Sequence, residues 1–153
     1  MAELFKKVLI ATDGSKRTQT AVETGIEIAK QHNSKIYAVY VVDTVTFTSI
    51  PMDVTWENMY QLLKDEGEDA VGRVKEAAQG TDIETHVLEG NPAVEITKFA
   101  KDNGVDLIVV GTLGKSGIDR ILLGSVAEKI VRLSPIPVLT VRPTHAEPAK
   151  PER

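Results

Sequence analysis

The stretch Val105 to Val131, VDLIVVGTLGKSGIDRILLGSVAEKIV, decides how the chain reads. An apolar run, Leu107 to Val110, ends on Gly111. Glycine recurs at 114, 117 and 124, and a helical pattern begins at Ser125. A continuous apolar run bounded by glycine predicts a strand covered on both faces. Strand, glycine-rich turn and helix start, in that order, form an anion cradle. Glycines let main-chain N–H groups approach a phosphate, and the unpaired donors of the first helical turn add partial positive charge. The spacing is Gly-x-x-Gly, nine residues, then Gly-Ser, filled by Gly111, Gly114, Gly124 and Ser125. Val126 supplies a further first-turn N–H, and Thr112 a hydroxyl. The competing reading is a plain connector with Ser125 as helix cap, and both roles can hold at once.

Two other phosphate loops are excluded here. Gly114-Lys115-Ser116 has the end of a P-loop, but that motif needs glycine at 109, where Val109 stands. The G-x-G-x-x-G fingerprint fails at Leu113. Lys115 is either a mobile charge near phosphates or a solvated lysine.

Upstream, Lys7 to Thr12 is another short apolar run, broken by Asp13-Gly14-Ser15. With Ser15 as N-cap, a helix is predicted to about His32, with Ala21, Val22, Gly25, Ile26, Ile28 and Ala29 on one side. Lys35 to Asp43 is the second strand. Thr44 to Thr55 has no clear period, and loops of that length are often functional. A long helix is predicted from about Trp56 to Gln79, with Trp56, Met59, Leu63, Ala70, Val71, Val74 and Ala77 as its buried stripe. Gly67 and Gly72 weaken it. Asp82 to Glu89 alternates like a strand with one wetter face near a sheet edge. Gly90-Asn91-Pro92 turns the chain into a helix over Ala93 to Asn103, with Val94, Ile96, Phe99 and Ala100 apolar and Gly104 ending it. Val138 to Val141 is the last strand. Strict alternation of strand and helix predicts a parallel sheet with helices on both faces and right-handed crossovers.

The bulk properties bound the function. The 153 residues suit one domain with a real core. A net charge of −4 argues against nucleic acid as a partner, since such proteins usually carry a basic face. No cysteine is present, which removes disulfides and thiolate chemistry. No apolar stretch approaches membrane-spanning length and no signal peptide is evident, so the expectation is a cytoplasmic protein without membrane contact. His32, His86 and His145 are scattered, lack metal-ligand spacing, and read as solvated. Ser15 is no nucleophile, because no histidine base has a route to it.

The glycine spacing resembles the nucleotide-binding branch of the universal stress protein family, whose signature is G-x-x-G-x9-G-[ST]. The resemblance extends to Ala11-Thr12-Asp13-Gly14-Ser15 after the first strand and to Val39–Asp43 at the end of the second, and it spans roughly residues 5 to 142. It implies an α/β fold of the adenine-nucleotide alpha-hydrolase type, an open five-stranded parallel sheet of order 3-2-1-4-5. That order places the ligand between strands one and four, outside their carboxyl ends. It also implies a domain over residues 1–143, with a polar tail over 144–153 expected to be flexible. By resemblance, Asp13 meets a ribose hydroxyl or a phosphate-bound metal, and the backbone of Val41 meets the adenine edge. From the residues alone, Asp13 is equally an Asx turn and Val41 a core valine. Asp43 receives no role. Leu113 departs from the polar or basic residue common in nucleotide-binding relatives, which removes one phosphate-side contact and leaves the main-chain cradle.

The expected ligand is therefore ATP, or ADP or AMP, with any Mg²⁺ or Mn²⁺ held mainly by phosphates near Asp13. The expected site comprises Ala11, Thr12, Asp13, Val41, Gly111, Thr112, Gly114, Lys115, Gly124, Ser125 and Val126. The expected function is a nucleotide-dependent regulatory or stress-response module, with no catalytic residue assigned and slow hydrolysis at most; Arg120 is the only arginine considered. Two alternatives stand: a slow ATP-hydrolysing or nucleotidyl-transferring enzyme of this fold, or a dimeric scaffold that works without ligand. The resemblance also implies a homodimer through Pro137 to Val141, a short apolar edge suited to pairing with its copy.

Overall fold

The computed structural model describes residues 4–45, 54–113 and 123–143. Five strands, β1 (Lys7–Ala11), β2 (Lys35–Asp43), β3 (Asp82–Gly90), β4 (Leu107–Gly111) and β5 (Val138–Val141), form one sheet of order β3-β2-β1-β4-β5. Every neighbouring pair is parallel, with Lys7 opposite Lys35 and Val8 opposite Leu107. Four helices connect them: α1 (Gln19–His32), α2 (Val54–Ala77), α3 (Pro92–Asp102) and α4 (Ser125–Leu133). The order expected by resemblance is the observed one.

The lack of alternation in the strands has a direct cause. Successive side chains point to opposite faces, and both faces are covered. Val8, Ile10, Ile36, Ala38, Tyr40, Val42, Leu107 and Val109 pack under α1 and α2. Leu9, Ala11, Tyr37, Val39, Ile108 and Val110 pack under α3 and α4. β3 is an edge strand, and its charged and polar residues lie on the wetter margin, as its alternation predicts. β5 is the other edge, and its four residues are each half-buried.

Helix faces depart from expectation in three places. The α2 stripe ends on buried Ala78, with Ala77 exposed, because 67, 70, 71, 74 and 78 share one face at helical spacing. Met59 lies beside that line and is exposed, while Trp56 stacks on Tyr60. In α3, Val94 is exposed and Ala93 is buried instead, the 93-96-100 spacing setting the face. Gly67, expected to weaken α2, has a packing role. A Cβ there would lie 2.6 Å from Cδ1 of Tyr40, so the missing side chain lets helix and sheet approach.

Two caps also differ. A 3-10 turn, Lys16–Thr18, precedes α1, and the Ser15 side chain makes no capping bond to it. Gly124, not Ser125, is the N-cap of α4, and Ser125 is its first helical residue. At α3, Pro92 takes the first helical position as predicted, and Oδ1 of Asn91 accepts from Val94 N at 3.2 Å. No helix among the described residues is long and apolar enough to cross a membrane. The tail over 144–153 lies outside the described residues.

Candidate functional site at the carboxyl ends of β1 and β4

In a parallel sheet every strand ends on the same side, and every following helix starts there. The chain leaves β1 toward α1 and β4 toward α4 on opposite faces, so a crevice opens between the two exits. A cleft of about 380 Å³ lies there. Its floor is Ala11, Thr12 and Asp13 from the β1 exit and Gly111, Thr112 and Leu113 from the β4 exit. Gly124, Ser125 and Val126 bring the α4 start to one side. Tyr40, Val41 and Asp43 close the β2 side. Nine of the eleven residues singled out by sequence line this one cleft; Gly114 and Lys115 lie outside the described residues, as does Arg120.

The cradle has a defined base. Gly124 N donates to Thr112 O at 2.6 Å, joining the β4 exit to the α4 start. A Cβ on Gly124 would sit 2.8 Å from that same carbonyl oxygen, a clash with backbone that no rotamer relieves. Glycine at 124 is therefore required by the protein itself. Glu128 N donates to Gly124 O at 2.9 Å as the first helical bond, and the N-cap Gly124 has no side chain to cap the preceding N–H groups. Those of Ser125 and Val126 stand at the positive end of α4, facing the cleft wall.

Asp13 is tied into its own turn. Its Oδ1 accepts from Ser15 N at 2.9 Å, from Ser15 Oγ at 2.6 Å and from Thr18 Oγ1 at 3.3 Å, while its second oxygen takes none of these bonds. The Asx-turn reading is thus realised, and it fixes the carboxylate at the cleft. Thr12 Oγ1 accepts from Gly14 N at 3.1 Å, and Arg73 of α2 donates to Gly14 O at 3.4 Å.

The remaining walls are apolar: Leu63 from α2, Pro92 and Ile96 from α3, and Val110. Sequence reading placed Leu63 and Ile96 on buried helix faces without a reason to bring them here. Thr18 is buried, touches Asp13 and lines the cleft, yet a lone threonine inside a helical pattern carries no signal. Asp43, assigned no role, lines the cleft as well. Among the described lining residues, the charged ones are Asp13 and Asp43. Among the described residues, no three His, Cys, Asp or Glu side chains gather to hold a metal.

His32 is exposed, as expected, whereas His86 is half-buried. His86 lies 4.7 Å from the Phe99 ring centroid and 6.0 Å from that of Tyr37, and its Nε2 is 3.2 Å from Glu84 Oε1. His32 meets Phe5 edge-on at 5.3 Å. Phe99 of α3 partly covers His86, which spacing does not report. His145 lies outside the described residues.

Comparison with known proteins agrees with this architecture. The sequence pattern of the universal stress protein family matches residues 4–142. Universal stress protein MJ0531 of Methanocaldococcus jannaschii is 47% identical over 141 residues, covering 91% of this chain and 83% of that protein. Among solved structures, hypothetical protein MJ0577 superposes with a TM-score of 0.79 at 30% identity, covering 90% of this chain and 96% of that one. A universal stress protein in complex with cAMP gives 0.66 at 30% identity, covering 92% and 99%. The match over nearly the whole length, together with the 3-2-1-4-5 parallel sheet, places the chain in the universal stress protein family, to which it belongs.

Proposed function

We propose that this chain is a nucleotide-binding regulatory module that takes ATP, or ADP or AMP, in the cleft at the β1 and β4 exits. The observation that carries this reading is the meeting of the α4 first-turn amides, the glycine exit of β4 and the Asp13 carboxylate in one cleft of about 380 Å³. That volume is within the range of small-ligand sites. The base lies against Val41 and the apolar walls of Pro92 and Ile96, the ribose beside Asp13, and the phosphates across Gly111 to Gly114 and the start of α4. The similar universal stress protein solved with cAMP supports an adenine nucleotide as the ligand class.

The described wall offers no cation, so phosphate charge meets main-chain N–H groups, with Lys115 of the glycine loop as the cationic partner. A divalent ion accompanying a triphosphate fits the same arrangement. It takes most of its ligands from phosphate oxygens and water, with Asp13 as the nearest carboxylate. Regulation follows from occupancy: binding changes the surface that other proteins read. The protein works in the cytoplasm as a homodimer paired through Pro137 to Val141, where the half-buried β5 edge is free to extend the sheet. Light scattering that gives a monomer at micromolar concentration contradicts the dimer.

Titration with a fluorescent ATP analogue tests the site. The wild type binds, and Gly124→Val weakens binding by at least about tenfold, because the added side chain drives the α4 start away from Thr112 O. Absence of binding by the wild type favours the ligand-independent scaffold. Steady-state hydrolysis well above background favours the enzyme.

A further inference from the structure

Thr18 touches both halves of the cleft. Its hydroxyl lies 3.3 Å from Asp13 Oδ1, 3.0 Å from Ser15 O and 3.5 Å from Thr12 Oγ1. Its methyl faces the other exit: a Cβ placed on Gly111 would lie 3.5 Å from Thr18 Cγ2 and 3.7 Å from Thr18 Cα. The residue is 6% exposed, so these contacts are made out of water. A buried hydroxyl has one proton to give, and here every nearby acceptor belongs to the Asp13 turn. Ser15 adds two more donors to the same carboxylate oxygen. Ser15 N and Ser15 Oγ donate to Oδ1, and the Thr18 proton is shared between Ser15 O at 3.0 Å and Oδ1 at 3.3 Å; together they fix the side-chain torsion and keep that oxygen on the loop side, so that the other oxygen is left for a ligand.

We propose that Thr18 is a positioning residue for ribose recognition: its hydroxyl aims the Asp13 carboxylate at the ribose hydroxyls, while its methyl holds the Asp13 turn at a fixed distance from Gly111. This rests on the reading of the cleft as a nucleotide site. Thr18 does not itself bind the nucleotide. It sets the separation between the group that meets the sugar and the main chain that meets the phosphates, so both ends of one ligand are served together. Ser15, nearer the surface, plays the same part more weakly.

The test uses Thr18→Val, which keeps the methyl and the shape and loses the hydroxyl, Thr18→Ser, which keeps the hydroxyl, and Ser15→Ala. Each is titrated with ATP and with 2′,3′-dideoxy-ATP, which lacks the hydroxyls Asp13 would meet. The wild type prefers ATP. Thr18→Val weakens ATP about five- to tenfold, the worth of one typical net hydrogen bond, and leaves dideoxy-ATP within about twofold. Thr18→Ser retains the preference for ATP. Ser15→Ala gives the same pattern at smaller size, and it decides the matter if Thr18→Val fails to fold. Equal losses for both ligands, or no loss for either, overturn the positioning role while leaving the nucleotide site standing. A wild type that binds neither ligand overturns the nucleotide reading and this proposal with it.

Discussion

The two ends of the sheet carry two clefts of similar size and opposite chemistry. The carboxyl end holds about 380 Å³ walled by helix starts, glycines and apolar side chains. The amino end holds about 440 Å³ lined by Lys6, Lys30, Lys35 and Asp82, with Asn33, Ser34 and Thr81 between them. Counting charges would send an anion to the lysines. The backbone argues the reverse. At the amino end the helices finish, and their last carbonyls present partial negative charge. Each of the four helices has a cation in its last turn, Lys30 in α1, Lys75 in α2, Lys101 in α3 and Arg132 in α4. Lys7 Nζ donates to Asn103 O just beyond α3 at 3.0 Å, and Lys35 pairs with Glu84. These lysines answer carbonyls and carboxylates of the protein itself. At the carboxyl end the helices start, and the N-cap of α4, Gly124, makes no side-chain capping bond to its first-turn amides. Fixed dipoles, more than side-chain charge, thus distinguish the two clefts.

The largest expected contrast is between single changes at the two ends. Gly124→Val should cost at least about tenfold in ATP affinity, whereas Lys30→Ala should leave it within about twofold. A larger loss from Lys30→Ala would break the comparison. Next in size is a pair within α2. Gly67→Ala gains up to about 1 kcal/mol of helix propensity, but its methyl meets the Tyr40 ring, and overpacking costs about 1–3 kcal/mol. The net expectation is a loss of about 1 kcal/mol in urea unfolding, with weaker ATP binding because Tyr40 lines the carboxyl-end cleft. Gly72→Ala meets nothing within 4 Å and should gain about 0.5–1 kcal/mol with unchanged binding. If both variants are stabilised alike, the tight contact of α2 on β2 is wrong.

The smallest effect belongs to the β3 edge near the amino end. The hydrogen bond from Lys35, and then that from His86, holds the Glu84 carboxyl below its ordinary value of 4.5. The same bond raises Lys35 above its ordinary 10.5. A depressed carboxyl stabilises the fold above its unfolded pKa and loses that contribution as pH falls through the folded value. The raised lysine contributes below its unfolded pKa and loses that as pH rises. Both groups are exposed, so the effect is small. Glu84→Gln should lower the melting temperature slightly at neutral pH, and the gap to wild type should close below pH 4.5. A gap that persists in acid would mean the pair contributes nothing through its charge.

Much of this was legible before the structure. Unalternating runs such as Val8 to Ala11 and Leu107 to Val110 announced strands covered twice, and two interleaved cores account for them. The glycine at 124 marked a close approach of backbone to backbone, which leaves a mark in residue type: the Cβ missing there is the one Thr112 O would strike. Strand order was not legible from pattern, since every apolar strand is equally fit to be central; it came from the resemblance. Thr18 and Asp43 were invisible as site residues because tertiary proximity leaves no periodicity. Ser125 looked like a cap because serine is a common one, but with Gly124 extended and bonded to Thr112, the helix begins one residue earlier than that reading required.

Backbone amide mapping by two-dimensional NMR during ATP titration tests the central claim most directly. The account predicts that the amides of Gly111, Thr112, Gly124, Ser125 and Val126 shift saturably, together with Asp13, while Lys30, Ser34, Gly80 and Thr81 stay in place. Shifts confined to the amino-end group, or none at either end at millimolar ATP, would contradict it.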